Sequence, residues 1–250
     1  LGEPEEGELS YSGKKGAMSR LDALKELKHF EEIGSINPPR KSGGVNTHIH
    51  TNESFSVFRS PAEAAWTAYR GGLEVFGIND HYTINGHGEF GEACRILGLK
   101  VTFSIEAIAM SEEAKEKGES DNDPKNPGRI YLCGKGVIYD LKPDSPSERL
   151  LASMRAAIRK RCEEMTRKAN HILRQTDSSL RLSFEDVLRF TPHGNVTERH
   201  VAQAIAELIN HKFPKDSERK EFLRKLLGRF NDGDLSTEGR FQDLIRNGLL

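Results

Sequence analysis

Two histidines separated by one residue, His48 and His50, sit in a short run of alternating character, Val45 to His50, that reads as a β-strand. Side chains two apart on a strand leave the same face, so both imidazoles can reach one ion. Further on, Asn79-Asp80-His81 closes a second apolar run, and Glu106 stands near the end of a third. Three successive strands thus deliver imidazole or carboxylate groups to one edge, the donor set of a bivalent metal centre. Such a mixed nitrogen and oxygen set suits Zn²⁺, Mn²⁺ or Fe²⁺ better than Mg²⁺ or Ca²⁺, which prefer oxygen alone. Taken singly, each motif is common in proteins that bind no metal, and the joint placement on consecutive strand ends is what carries the inference.

The elements that must hold these groups follow from periodicity and punctuation. Leu21, Leu24, Leu27, Phe30 and Ile33 recur at helical spacing behind Ser19, a residue type that caps a first turn. The strand at 45–50 precedes a helix opened by Ser60-Pro61-Ala62-Glu63, with a cap, a proline at the first position and an acidic first turn. A strand over Leu73 to Asn79, a helix over Glu89 to Leu97 and a strand over Lys100 to Ala107 complete an α/β rhythm of parallel crossovers. Residues 111–128 read as a polar loop and Arg129 to Tyr139 as renewed extended structure. A long helix is expected from about Ser147 to Gln175, followed by shorter ones near 183–190, 197–211, 217–228 and 237–247. The organisation expected is a flexible leader over 1–17, a helix and linker over 18–42, and an α/β domain over 43–250 that is mainly helical from 145 onward.

Thr47-His48-Ile49-His50-Thr51, Gly77-Ile78-Asn79-Asp80-His81 and Ser104-Ile105-Glu106-Ala107, in that order, resemble the motifs of the PHP (polymerase and histidinol phosphatase) superfamily. The resemblance covers roughly 43–210 and implies a distorted (β/α)7 barrel holding two or three metal ions at the carboxyl ends of its strands. It further implies that Arg199-His200-Val201-Ala202 matches a later histidine motif, which adds His200 to His48, His50, His81 and Glu106 as ligands of two divalent ions. Asp80 would then orient an imidazole, ligate in its own right, or shuttle a proton. The chain departs from the family pattern where Phe55, Ser56 and Val57 follow the first motif, with Glu53 the nearby carboxylate. It departs again at Tyr131, where a strand histidine is usual, and in having no histidine after His211. Because the chain opens on Leu1 and few strands precede the helical stretch, residues beyond 250 are expected to supply missing strands.

His193 could donate a proton to a leaving group, and Arg199 could grip phosphate through its planar fork. His87 reads as a loop histidine, exposed or touching substrate. Lysine and arginine total 37 against 38 acidic residues, so no global field marks a nucleic-acid or membrane-surface binder. Cys94, Cys133 and Cys162 form no CxxC pair, which argues against a disulfide framework and a cysteine zinc site and for small buried side chains in a reducing cytoplasm. No apolar run approaches the roughly 20 residues of a membrane span. The expectation is a metal-dependent hydrolase in the cytoplasm, acting on a small phosphorylated substrate such as a nucleotide or sugar phosphate, with water activated by the metals. The alternatives are a metal-binding or interaction module without turnover, and a metal-dependent amidohydrolase.

Overall fold

The computed structural model describes residues 18–121, 123–124, 126–137, 141–142 and 144–250. The leader expected over 1–17, and Tyr139 at the end of the last expected strand, lie outside the described residues. The chain divides into two compact units, residues 1–141 and 142–250.

In the first unit, helix α1 (Arg20–Glu32) starts where the Ser19 side chain accepts the Asp22 backbone N–H. Strand β1 (Gly44–Ile49) leads into α2 (Pro61–Arg70), which Ser60 caps by accepting from the Glu63 N–H, with Pro61 in the first turn. Strand β2 (Leu73–His81), helix α3 (His87–Leu97) and strand β3 (Lys100–Met110) follow. A one-turn helix, α4 (Glu112–Glu116), occupies part of the expected polar loop, started by Ser111, whose hydroxyl accepts from the Ala114 N–H. Strand β4 (Arg129–Lys135) then runs back along β3. The four strands form one curled sheet in the order β1-β2-β3-β4, the first three parallel and the last pair antiparallel. Among the described residues this is a half-barrel sheet, and the seven strands implied by the family resemblance are not completed.

Helices α2 and α3 cover the sheet through small and aromatic side chains. Ala62, Ala65, Phe90 and Ala93 are buried against Phe76 and Ile78 of β2. Alanines on α2 let it lie close to its neighbours, and Gly98, with a φ of 70°, ends α3 in the left-handed conformation that glycine tolerates.

The second unit is helical. Helix α5 (Pro146–Thr176) starts at a Ser145 cap followed by Pro146, and α6 (Phe184–Leu188) at a capping box between Ser183 and Asp186. Helices α7 (Glu198–Lys212), α8 (Asp216–Leu227) and α9 (Glu238–Leu249) complete it, with a 3₁₀ turn at Asp232–Leu235. Its core gathers Leu173, Val201, Ile205, Ile209, Leu223 and Ile245. No described helix is long and apolar enough to cross a membrane.

Strand β2 is squeezed between β1 and β3 at Gly77. A Cβ there would stand 2.2 Å from Thr102 Oγ1 and 2.8 Å from Thr47 Cα, so the strands that carry the histidines can approach only because position 77 has no side chain. Gly77→Ala is expected to lower unfolding free energy by about 1–3 kcal/mol through overpacking, read as a fall in the urea midpoint. An unchanged midpoint would show that the strands part freely at this position.

Candidate metal centre

Strand register decides which groups share a face. Ile49 pairs with Ile78 and His81 with Glu106. By the two-residue alternation of strands, His48, His50, Asn79, His81 and Glu106 therefore project together, and Asp80 projects to the other side. The side chains meet accordingly. His48 Nε2 lies 2.8 Å and His50 Nε2 3.4 Å from Glu106 Oε2, and one ligand atom from each of the three falls within 4.8 Å of the others. The His81 ring stacks on His50 with centroids 4.6 Å apart. Past His81 the chain turns at Tyr82, whose φ is 56° and whose N–H donates to the Glu106 carbonyl. That bond ties the end of β2 to the strand carrying Glu106.

Glu106 is only 5% exposed. Burial alone would raise its pKa, but when the imidazoles are protonated the His50 hydrogen bond and the charges of His81, His50 and His48 outweigh that and hold the carboxyl below its usual range. Asn79, fully buried, donates through Nδ2 to Glu106 Oε2 at 3.0 Å, and the same nitrogen is 3.0 Å from His48 Nε2.

Asp80 has a different environment. It is fully buried and accepts from the Thr51 N–H at 2.7 Å, the Thr51 hydroxyl at 2.6 Å and the Ser54 hydroxyl at 2.5 Å. Burial raises its pKa against the lowering effect of those bonds and of His50. The carboxylate therefore pins the loop that follows β1. The Ser54 hydroxyl has one hydrogen, committed to Asp80, so towards His50 Nδ1, 3.5 Å away, its oxygen can only accept. That favours a proton on Nδ1 and a lone pair on Nε2, the nitrogen facing Glu106.

With both rings neutral, and His48 Nε2 accepting from Asn79 Nδ2 at 3.0 Å, two lone pairs face one carboxylate oxygen, an arrangement completed by a cation between them. Ligands about 2.1 Å from a tetrahedral ion stand about 3.4 Å apart. The His50 to Glu106 spacing matches this, and the His48 spacing needs a small opening. The residues present fit a divalent metal ion.

The remaining expected site residues lie in the second unit, where His200 and Arg199 have local partners. His200 is buried in the first turn of α7, where its Nδ1 accepts the Thr197 backbone N–H at 3.0 Å. This is the reciprocal half of a capping box. A neutral imidazole engaged in this way keeps its proton on Nε2, so ligation through Nε2 requires that proton to leave. Arg199 forms an exposed ion pair with Asp243 at 3.4 Å, and His193 is exposed in the turn before α7.

Three readings from sequence need correction or addition. His87 is neither in a loop nor exposed: it opens α3 fully buried, its Nε2 3.1 Å from the Ser104 carbonyl. Cys94 and Cys162 are buried as expected, but Cys133 is exposed, with its sulfur 3.4 Å from Asn79 Nδ2. Tyr131 lies under the Arg129 guanidinium at 5.4 Å. Asn79, Ser54 and Cys133 were not singled out as site residues, and only the strand alternation Asn79–His81 could have pointed to one of them.

No family model matches the chain, and no curated protein does. Among solved structures the chain is similar to a protein from Bifidobacterium adolescentis provisionally described as a metal-dependent phosphoesterase. The identity is 20%, the TM-score 0.51, and the alignment covers 78% of this chain and 59% of that one. At this identity the likeness shows a shared fold. An amidohydrolase from Chromobacterium violaceum, solved with bound sulfate and no metal, aligns with 17% identity and a TM-score of 0.47 over 71% of this chain and 53% of its own. The chain thus spans less than two thirds of the length of either structure.

Two predictions follow from these environments. Asp80→Ala leaves three buried donors without their acceptor and is expected to cost about 3 kcal/mol, measured by urea unfolding; a loss below about 0.5 kcal/mol would show that the loop does not depend on Asp80. Burial lowers the pKa of both His87 and His200 to about 4, against an ordinary value of 6.5. Between those values the unfolded chain binds protons that the folded chain refuses, so stability is full above about pH 6.5 and declines as pH falls towards 4. The slope is up to about 1.4 kcal/mol per pH unit for each histidine. His87→Gln and His200→Gln, which keep a donor to Ser104 and a cap for α7, should each flatten that slope in chelator-treated protein. A variant that retains the wild-type slope would acquit its histidine.

Proposed function

We propose that the chain is a metal-dependent hydrolase of phosphate esters, with a small phosphomonoester of the nucleotide or sugar phosphate class as substrate. The observation that carries this reading is the convergence of His48, His50 and Glu106 at the carboxyl edge of three parallel strands, where open α/β sheets bind ligands. The ordered motifs that resemble the PHP superfamily support it, as does the fold shared with the Bifidobacterium adolescentis protein described as a phosphoesterase. A divalent ion held there supplies Lewis acidity and a water of lowered pKa.

The chain's own residues supply the rest. His48, His50 and Glu106 bind the cation, Asn79 orients the Glu106 carboxylate, and Ser54, anchored on Asp80, fixes the tautomer of His50. Asp80 is sealed from solvent with its oxygens committed, so the proton transfer first expected of it falls to His81, stacked beside His50. Lys135, whose ammonium donates to the Thr47 carbonyl next to His48 at 2.7 Å, places a cation beside the same edge, which favours an anionic substrate over an amide.

Metal analysis of the purified chain, followed by a phosphomonoester screen with added Mn²⁺ or Zn²⁺, tests the reading. Wild type is expected to hold stoichiometric metal and turn over at least one substrate, and His48→Ala to lower kcat/KM by about 100-fold or more with the circular dichroism spectrum unchanged. Absence of stoichiometric metal in wild type would overturn the metal centre. Metal binding without turnover of any phosphoester would leave a binding module and overturn the enzymatic reading.

A further inference from the structure

Strand β4 brings to the centre a group that the reading above does not use. In the antiparallel pairing of β3 with β4, Cys133 is the register partner of Glu106, and residues directly opposite on paired strands project to the same face. The Cys133 sulfur accordingly lies 4.0 Å from His48 Nδ1 and 3.4 Å from Asn79 Nδ2. That amide nitrogen is also 3.0 Å from both His48 Nε2 and Glu106 Oε2. Three electron-pair donors of three chemical kinds therefore converge on one amide nitrogen, which carries two hydrogens. One donor always lacks a hydrogen, and the buried Asn79 Oδ1 has no hydrogen-bond partner. A cation among these donors resolves both the surplus of lone pairs and the placement of an exposed thiol against a buried carboxylate.

We propose that Cys133 supplies a thiolate ligand to the ion held by His48, His50 and Glu106, making the centre selective for a thiophilic divalent cation such as zinc or ferrous iron over manganese. The proposal rests on the metal centre described under the proposed function. Zinc–sulfur and zinc–nitrogen bonds of about 2.3 and 2.0 Å set two ligand atoms about 3.5 Å apart; the Cys133 sulfur stands 4.0 Å from Nδ1 of His48, whose Nε2 is the nitrogen facing Glu106, so it has to swing from the Nδ1 edge of the ring towards the ion. Cys133 is exposed, which leaves its χ1 free to make that turn. On binding, the sulfur–metal bond forms as the thiol proton leaves to solvent. Thiolate favours zinc and iron, whereas manganese sites are built from carboxylate, carbonyl and water oxygens.

Cobalt(II) titration of the reduced whole chain, followed by absorption, tests this. Wild type should develop visible d–d bands together with a near-ultraviolet thiolate-to-cobalt charge-transfer band, both saturating with stoichiometric cobalt. Cys133→Ser, a near-isosteric change at an exposed position, should keep the d–d bands and lose the charge-transfer band. It should also weaken zinc binding by about 10- to 100-fold while leaving manganese binding unchanged. Cys94 and Cys162 do not confuse the signal, since both are buried and their thiols are pushed up to about 12. Cobalt binding without a charge-transfer band in wild type, or a band that survives in Cys133→Ser, would overturn the thiolate and leave the metal centre standing. Failure of wild type to bind cobalt at all would overturn both.

Discussion

A carboxylate buried in the middle of a sheet has to be compensated, and the first unit is organised around the compensation of Glu106. Its single most engaged oxygen, Oε2, takes contacts from His48, His50 and Asn79, each from a different position on neighbouring strands. An isolated buried carboxylate would shift its pKa upward and neutralise; here the surrounding imidazoles, when protonated, reverse that shift. Without them Glu106 would be a liability, and without Glu106 the imidazoles would have no common anion to face.

Asp80 and Glu106 divide two jobs that sequence alone makes look alike. Glu106 is held ionised and pointed at donors that a cation can replace. Asp80 is fully buried, with a pKa raised by burial, and spends its oxygens on Thr51 and Ser54. The difference follows from strand alternation: His81 and Glu106 are register partners, and Asp80, one residue earlier, faces the other way. Through Ser54 the buried carboxylate still acts on the centre, because the hydroxyl it fixes also faces His50. One loop thus couples a structural carboxylate to the tautomer of His50.

In the second unit, two of the expected site residues have partners at the start of one helix. His200 lies in the first turn of α7, in a pattern that resembles a ligand motif, and its Nδ1 accepts the N–H of the N-cap residue Thr197. Arg199, on the same turn, is drawn to Asp243. Histidine, threonine and arginine at the start of a helix satisfy backbone donors and surface charges with the same atoms that would bind a ligand, so residue type at a helix start carries little information by itself.

His48, His50, His81 and Glu106 were legible as a group from the sequence because their placement depends on strand periodicity and on the carboxyl ends of apolar runs, both of which are local. The helix starts at Ser19 and Ser60 were legible for the same reason, since a cap and its first turn lie within four residues of each other. What tertiary structure decided is everything that depends on pairing between distant segments. That β4 runs antiparallel, and so sets Cys133 opposite Glu106, follows from the turn after β3 and not from any pattern in residues 129–135. His87 is buried because α3 begins at that residue and packs on β3, although its neighbours are glycines and read as a loop. Asn79 became a hub only when β1, β3 and β4 closed around it. Periodicity fixes the face on which a side chain leaves its own strand, while the identity of its neighbours on that face is set by register, which is a property of two strands at once.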